Sequence, residues 1–160
     1  MTTPPFLRAD RIAIAVGSGG ALLVLGALGI QYIGGIAPCE MCHWQRWPHI
    51  AAAIIGIALV PFLRNNTRAL AWLVAALITV SGLIGAYQAG LQWGFLPGPQ
   101  GCTVAHAYVL GSNAPSPPVS CNAVTWSLFG LSLAGYNAIL SFLIAGTGAV
   151  LLSRKHATQA

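Results

Sequence analysis

Four long apolar stretches alternate with short polar ones along the chain, at residues 12–33, 47–63, 69–90 and 126–152. Each comes near the roughly 20 residues that an α-helix needs to cross hydrocarbon. None carries the short alternating pattern of a spanning β-strand. In lipid, every backbone N–H and C=O must be satisfied within a helix or a closed barrel. The pattern therefore predicts an all-α membrane protein, a single integral domain over 1–160 built as a four-transmembrane-helix bundle. The first stretch exceeds the roughly 7–15 residues of a secretion-signal core, and it runs into Ile36-Ala37-Pro38 rather than a small-x-small cleavage site. It reads as a retained helix.

Composition agrees with the pattern. Only 6% of residues are charged and 56% are hydrophobic, whereas soluble domains carry roughly a quarter of their residues as Asp, Glu, Lys and Arg. Lys and Arg number seven against two Asp and Glu. No dense basic run or aromatic-basic interleaving points to nucleic acid. The cations mark topology instead: Arg8 and Arg11 precede the first stretch, Arg64 and Arg68 fill the second turn, and Arg154 and Lys155 follow the last stretch. By the excess of cations on cytoplasmic loops, both termini are expected in the cytoplasm and the two longer connections, 34–46 and 91–125, on the far side. Those two connections hold every cysteine. In a bacterial inner membrane they are periplasmic loops, and their compartment is oxidising.

Small residues recur where helices need to approach closely: Gly17 to Gly20, Gly26 and Gly29, Gly82 and Ala86, Gly130 and Ala134. They read as packing contacts. The Pro- and Gly-rich segment 94–118 reads as an irregular, mobile loop with Cys102 and Cys121 near its ends.

The four cysteines fall into a tight pair, Cys39-Glu40-Met41-Cys42, and a wide one, Cys102 with Cys121. A Cys-x-x-Cys pair closes into a small disulfide ring and, when open, offers a thiolate stabilised by its neighbours. The wide pair can close a loop, and two inert loop staples are the plain alternative. Position favours chemistry. Counting about 20 residues back from Arg64 brings the opposite membrane surface to Trp44, beside the tight pair. Arg46, the one Lys or Arg on that side, sits at the apolar boundary, where a charge is expensive. One helical turn after Cys42, it can stabilise a thiolate or an anionic quinone oxygen, or else snorkel to lipid head groups. Trp44 and Trp47 read as interfacial anchors, and Pro48 suits the first turn of the second helix.

Two rival readings use the same residues. Cys39-Glu40-Met41-Cys42-His43 matches the C-x-x-C-H pattern of covalent haem attachment, with His43 as axial ligand. Cys39, Cys42, His43, His49, Cys102, His106 and Cys121 also include enough soft ligands for zinc or copper. The haem reading leaves Cys102, Cys121 and Arg46 unexplained, and the metal reading lacks a second tight pair.

The run Pro38-Cys39-Glu40-Met41-Cys42-His43-Trp44-Gln45-Arg46 resembles the P-C-x-x-C-x-x-Q-R signature of the disulfide bond formation protein B (DsbB) family. The tail is similar too: Trp126 and then Phe129-Gly130-Leu131-Ser132-Leu133-Ala134-Gly135-Tyr136-Asn137 resemble the W-x-x-F-G-x-S-x-A-x-x-N run that enters that family's last helix. The resemblance implies an oxidoreductase that reoxidises a periplasmic DsbA-like dithiol oxidase and passes the electrons to a membrane quinone, ubiquinone or menaquinone. Carried onto these residues, the partner's thiolate attacks Cys102, Cys121 attacks Cys39, and Cys42 is freed to face the quinone beside Arg46 in a charge-transfer contact. DsbA-type oxidants sit near about −120 mV, so thiol exchange alone reoxidises them poorly and a quinone supplies the downhill step. Gln88, near the outer end of the third stretch, reads as a helix-packing amide.

Overall fold

The computed structural model describes residues 8–63, 66–99, 102 and 119–157, with side chains as far as residue 154. Arg64, His106 and most of the Pro- and Gly-rich segment lie outside the described residues. The elements in order are α1 (Ala9–Tyr32), α2 (Glu40–Ala53), a π-helical segment (Ile54–Leu59), α3 (Thr67–Gln92), a two-stranded hairpin of β1 (Ser127–Leu128) and β2 (Leu131–Ser132), and α4 (Leu133–Ala157). Among the described residues, three helices, α1, α3 and α4, are long and apolar enough to cross a membrane. α2 with its π-helical continuation forms the fourth helical segment.

Glycine ends two of these helices. Ile33 and Gly34 donate backbone N–H bonds back to Gly29 O, and Gly35 then turns the chain at a φ of +67°. α3 ends likewise at Gly94, whose φ of +77° is a conformation that residues with a Cβ rarely adopt.

The second helix starts earlier than the apolar pattern implies. It begins at Glu40 rather than near Trp47 because Cys39 caps it, the thiol sulfur accepting from Cys42 N–H at 3.2 Å. Pro48 consequently lies inside the helix and not in its first turn. Lacking an N–H, it cannot bond the carbonyl one turn back. Beyond Ala53 the helix widens, with Val60 N–H bonding Ile55 O. The wide turn carries Gly56 against α1: a Cβ there would lie 2.5 Å from Ala13 O, and one on Gly17 would lie 2.9 Å from Ala52 O.

The fourth apolar stretch also starts differently. Residues 127–132 form the hairpin, and α4 begins only at Leu133. Phe129 and Gly130 both have positive φ, 50° and 76°, as a two-residue type I′ turn requires. Gly130 is therefore a turn residue, not a packing one. Tyr136 OH donates to Leu128 O at 3.0 Å and pins the hairpin onto α4. Of the other small residues, Gly17, Gly20 and Gly82 do face neighbouring helices, whereas a Cβ on Gly26 or Gly29 would meet nothing within 4 Å.

Two cores result. One, made of Ile12, Ala13, Val16, Ala52, Val60, Ala71, Val74, Ile78, Ala145 and Leu152, joins all four helical segments through small side chains. The other gathers Cys39, Met41, Leu91, Cys102 and Cys121. At the end opposite the cysteines, Arg8 and Arg68 line one cleft, and Arg68 Nη2 donates to Leu152 O at 3.1 Å. Arg8 and Arg68, two of the cations on which the expected orientation rests, thus share one end. Leu22, Leu25, Leu83 and Leu143 are exposed on the helix flanks, as suits a surface solvated by lipid.

Candidate functional site

The second core is where the four cysteines meet. Cys39 stands at the N-terminus of α2 because its own backbone is extended and its sulfur caps the helix. Cys42 lies one turn on, so the two sulfurs share one face of the first turn. Both are free thiols. Cys102 and Cys121 form a disulfide with Cα atoms 5.4 Å apart, and Cys121 N–H also bonds Cys102 O at 2.8 Å. A short parallel bridge between Cys39 and Val119 brings the second pair against the first. Cys121 is fully buried and Cys102 is only 5% exposed.

The thiols, which lie ahead of the apolar part of the second helix, are electrostatically unequal. Cys42 is lowered to about 6, chiefly by its hydrogen bond with Cys39, with further help from the Cys39 backbone, the Gln88 amide and the Arg46 charge, against the opposing effect of burial. Cys39 moves the other way, raised by the same bond to Cys42 and then by burial. One proton shared between two close sulfurs leaves Cys42 as the thiolate and Cys39 as its donor. An ionised sulfur in the first turn also sits at the positive end of the α2 dipole.

Cys42 opens onto a cavity of about 340 Å³ between α1, α2, the hairpin and α4. Its wall is mostly apolar, including Leu23, Ile30, Trp126 and Leu133, and the polar residues include Gln45, Arg46, His49 and Asn137. Arg46 Nη1 donates to Gln31 Oε1 at 2.6 Å. Among the described residues, Arg46 Nε and His49 Nδ1 are buried without a hydrogen-bond partner. An apolar slot with a thiolate, an arginine and unpaired polar atoms on its wall suits a flat, largely apolar molecule bearing carbonyl oxygens.

Thus the structure brings Cys39, Cys42, Cys102 and Cys121 into one cluster and puts Arg46 on the cavity that Cys42 shares. Three further residues were not singled out from the sequence as site residues. Gln88, read as a packing amide, donates to Cys39 Sγ at 3.0 Å. Gln45 and Asn137 stand in the quoted motifs, yet only the fold reveals that Asn137 bonds Gln45 and that Gln45 bonds Gln88. The signal available was polarity: Gln88 and Ser81 are amide and hydroxyl within an otherwise apolar helix, and such groups in lipid are costly unless partnered.

The rival readings find little geometry. His43 is exposed, whereas Cys39 is buried. His49 is tied to Asn137. Among the described residues, no three His, Cys, Asp or Glu side chains are placed to hold one metal ion.

Residues 9–151 match the family model described as "Disulfide bond formation protein DsbB". Seven relatives carry the name Disulfide bond formation protein B. That of Aromatoleum aromaticum is 30% identical over 138 residues, covering 79% of this chain and 81% of its own. That of a Polaromonas species is 29% identical, covering 84% of both. That of an Azoarcus species is 34% identical, covering 74% and 76%. No solved structure matches the chain.

Proposed function

Because the chain belongs to the DsbB family, and so is a multi-pass bacterial membrane protein that acts as a thiol oxidoreductase in disulfide bond formation, we propose that it reoxidises a periplasmic DsbA-like dithiol oxidase and delivers the electrons to a membrane quinone. The observation that carries this reading is one of connection. Cys42 belongs both to the buried cluster of four cysteines and to the wall of the cavity that holds Arg46.

In this reading the chain crosses the inner membrane four times, with α2 from Trp47 onward and its π-helical continuation as the second span. Both termini are cytoplasmic and both cysteine pairs periplasmic. A thiolate of the partner attacks Cys102, forming a mixed disulfide and leaving the electron pair on Cys121. Cys121 attacks Cys39, and the Cys39–Cys42 bond breaks with its electron pair on Cys42. The partner's second thiol then resolves the mixed disulfide, leaving the electron pair on Cys102. Cys102 attacks Cys121, so that the Cys102–Cys121 bond re-forms while the Cys121–Cys39 bond breaks with its electron pair on Cys39. What remains is the connectivity of the present structure, a Cys102–Cys121 disulfide beside two free thiols.

Ubiquinone or menaquinone, when bound, supplies a two-electron acceptor with an apolar tail. The cavity fits such a group: it is apolar, and Arg46 Nε is a buried donor left unpaired. Arg46 and Cys42 would hold it, Arg46 keeping Cys42 ionised through its charge. Because Cys102 is buried, partner docking must uncover it before exchange begins.

The deciding experiment is oxidation of a reduced thioredoxin-fold dithiol partner by the purified, detergent-solubilised protein, with and without quinone. Catalytic turnover that requires quinone is the expected result. Its absence with both ubiquinone and menaquinone overturns the proposal.

A further inference from the structure

The buried amides beside the cysteines form a chain with a direction. His49 Nε2 lies 2.9 Å from Asn137 Oδ1, and an amide oxygen only accepts, so the imidazole N–H is the donor. Asn137 Nδ2 donates to Gln45 Oε1 at 2.8 Å, and Gln45 Nε2 to Gln88 Oε1 at 2.5 Å. The Gln88 NH2 group is thereby turned to the sulfurs: 3.0 Å from Cys39 Sγ, 3.7 Å from Cys42 Sγ, and 3.5 Å from Cys121 O. Ser81 Oγ fixes the middle of the chain by donating to Gln45 O at 2.7 Å. Turning any one amide over would set donor against donor or acceptor against acceptor at its junctions. Gln88 and Gln45 are 2% and 6% exposed, and a mismatched amide in so dry a place is costly.

We propose that Gln88 is a catalytic residue of the sulfur exchange, donating its amide N–H to the cysteine sulfurs as negative charge moves among them, with Gln45 and Asn137 as positioning residues that keep that donor aimed. This rests on the reading of the four cysteines as one relay. In the exchange, the Cys121 thiolate forms a bond to Cys39 Sγ, the Cys39–Cys42 bond breaks, and the electron pair passes to Cys42. No proton is transferred in that step. Charge is spread over three sulfurs in a line at the transition state, and a preorganised donor at the central sulfur stabilises it without reorganising. Gln88 has a hydrogen bond to the central sulfur, a longer one to the leaving sulfur, and one to the carbonyl of the attacking residue. A packing amide would spend its donors on a neighbouring helix; the acceptors around the Gln88 NH2 belong to cysteines.

The test uses the full-length protein in detergent, without quinone. Electrons placed on Cys102 and Cys121 by one equivalent of a reduced thioredoxin-fold dithiol partner are followed to Cys39 and Cys42 by rapid alkylation and mass spectrometry. Thiolate formation at Cys42 is followed in parallel by its ultraviolet absorbance against pH. Gln88→Leu is expected to slow transfer between the pairs by roughly tenfold, the size of one lost hydrogen bond to a charged group, and to move Cys42 titration to higher pH. Gln88→Glu, nearly isosteric but without the NH2 donor, is expected to do more on both counts, an order that damage to packing would not produce. Gln45→Leu is expected to act in the same direction, and the double variant Gln45→Leu/Gln88→Leu to be no slower than Gln88→Leu alone. Unchanged transfer and titration in Gln88→Leu, or additive losses in the double variant, overturn the proposal. Should Gln88→Leu fail to fold, Gln88→Glu decides alone: slowed transfer with a raised Cys42 midpoint supports the role of the donor, and parental behaviour overturns it. A wild-type protein that moves no electrons between the pairs would instead bring down the relay itself.

Discussion

Arg46 donates through Nη1 to Gln31 Oε1 at 2.6 Å, which ties the first turns of α2 to the last turn of α1. That bond leaves Arg46 Nε as the unpaired donor beside the cavity. Its aim thus depends on a residue outside the cysteine motif. Gln31→Leu is expected to raise the quinone concentration needed for half-maximal turnover several-fold, and Arg46→Ala to raise it by roughly tenfold or more, as for a lost bond to a charged group. Quinone titrations of partner oxidation check both. Identical curves for Gln31→Leu and the parent would reduce that contact to helix packing.

The division of labour among the cysteines predicts two distinct failures. Cys42→Ser is expected to abolish quinone reduction, since no other cysteine sulfur lines the cavity among the described residues. Cys102→Ser and Cys121→Ser are expected to block exchange with the protein partner while small dithiols still reduce quinone through Cys39 and Cys42. Quinol formation read with the partner and with a small dithiol separates the two. Turnover by Cys42→Ser with either reductant would end the assignment.

Much of this site was legible in the sequence because it is carried by local spacing. Cys39 and Cys42 at i and i+3, with Arg46 one turn beyond, share a helix face wherever the helix forms. The amide chain was not legible, since Gln45, Gln88 and Asn137 lie on three different helices and no periodicity reports which polar groups meet. The start of α2 was misplaced for a related reason. An apolar count detects the hydrocarbon-facing part of a helix but not a thiol cap at Cys39 with a polar first turn after it. The hairpin at 127–132 was hidden by its own hydrophobicity: Leu128, Phe129 and Leu131 extend the apolar run, although positive φ at Phe129 and Gly130 ends any helix there.

The reactivity of the reduced protein should follow the ionisation of Cys42. Lowered to about 6, this thiol is expected to be mostly thiolate at neutral pH and to lose reactivity as pH falls through about 6. Cys39, raised by its bond to Cys42 and by burial, is expected to remain protonated and slow over the same range. Alkylation rates against pH, with the modified cysteine identified by mass, measure both. Arg46→Ala removes one of the charges holding Cys42 ionised and should shift its midpoint upward, toward the ordinary thiol value. An unshifted midpoint would mean that the arginine does not act on the sulfur.

Stability depends on how closely α1 approaches the π-helical segment. A Cβ on Gly56 would sit 2.5 Å from Ala13 O and 3.1 Å from Gly17 Cα, all backbone atoms that cannot turn aside. Gly56→Ala is therefore expected to destabilise the protein by about 1–3 kcal/mol, the usual range for overpacking. Thermal unfolding in detergent measures it. A melting temperature equal to the parent's would show that the two helices slide apart at no cost.

Gly26, on α1, offers the opposite case. It lines the cavity, yet a Cβ there would meet nothing within 4 Å. A large side chain at this position can therefore enter the cavity without separating any pair of helices. Gly26→Phe is expected to leave the melting temperature and the alkylation of Cys42 near parental values while sharply weakening the dependence of turnover on added quinone. Exchange between the partner and Cys102 involves no atom of this cavity and is expected to continue until the cysteines are fully reduced. A single burst of partner oxidation followed by arrest would place the block between Cys42 and its acceptor, where the geometry of Gly26 puts it. Steady turnover at the parental rate would instead show that the acceptor reaches Cys42 by some route other than this cavity.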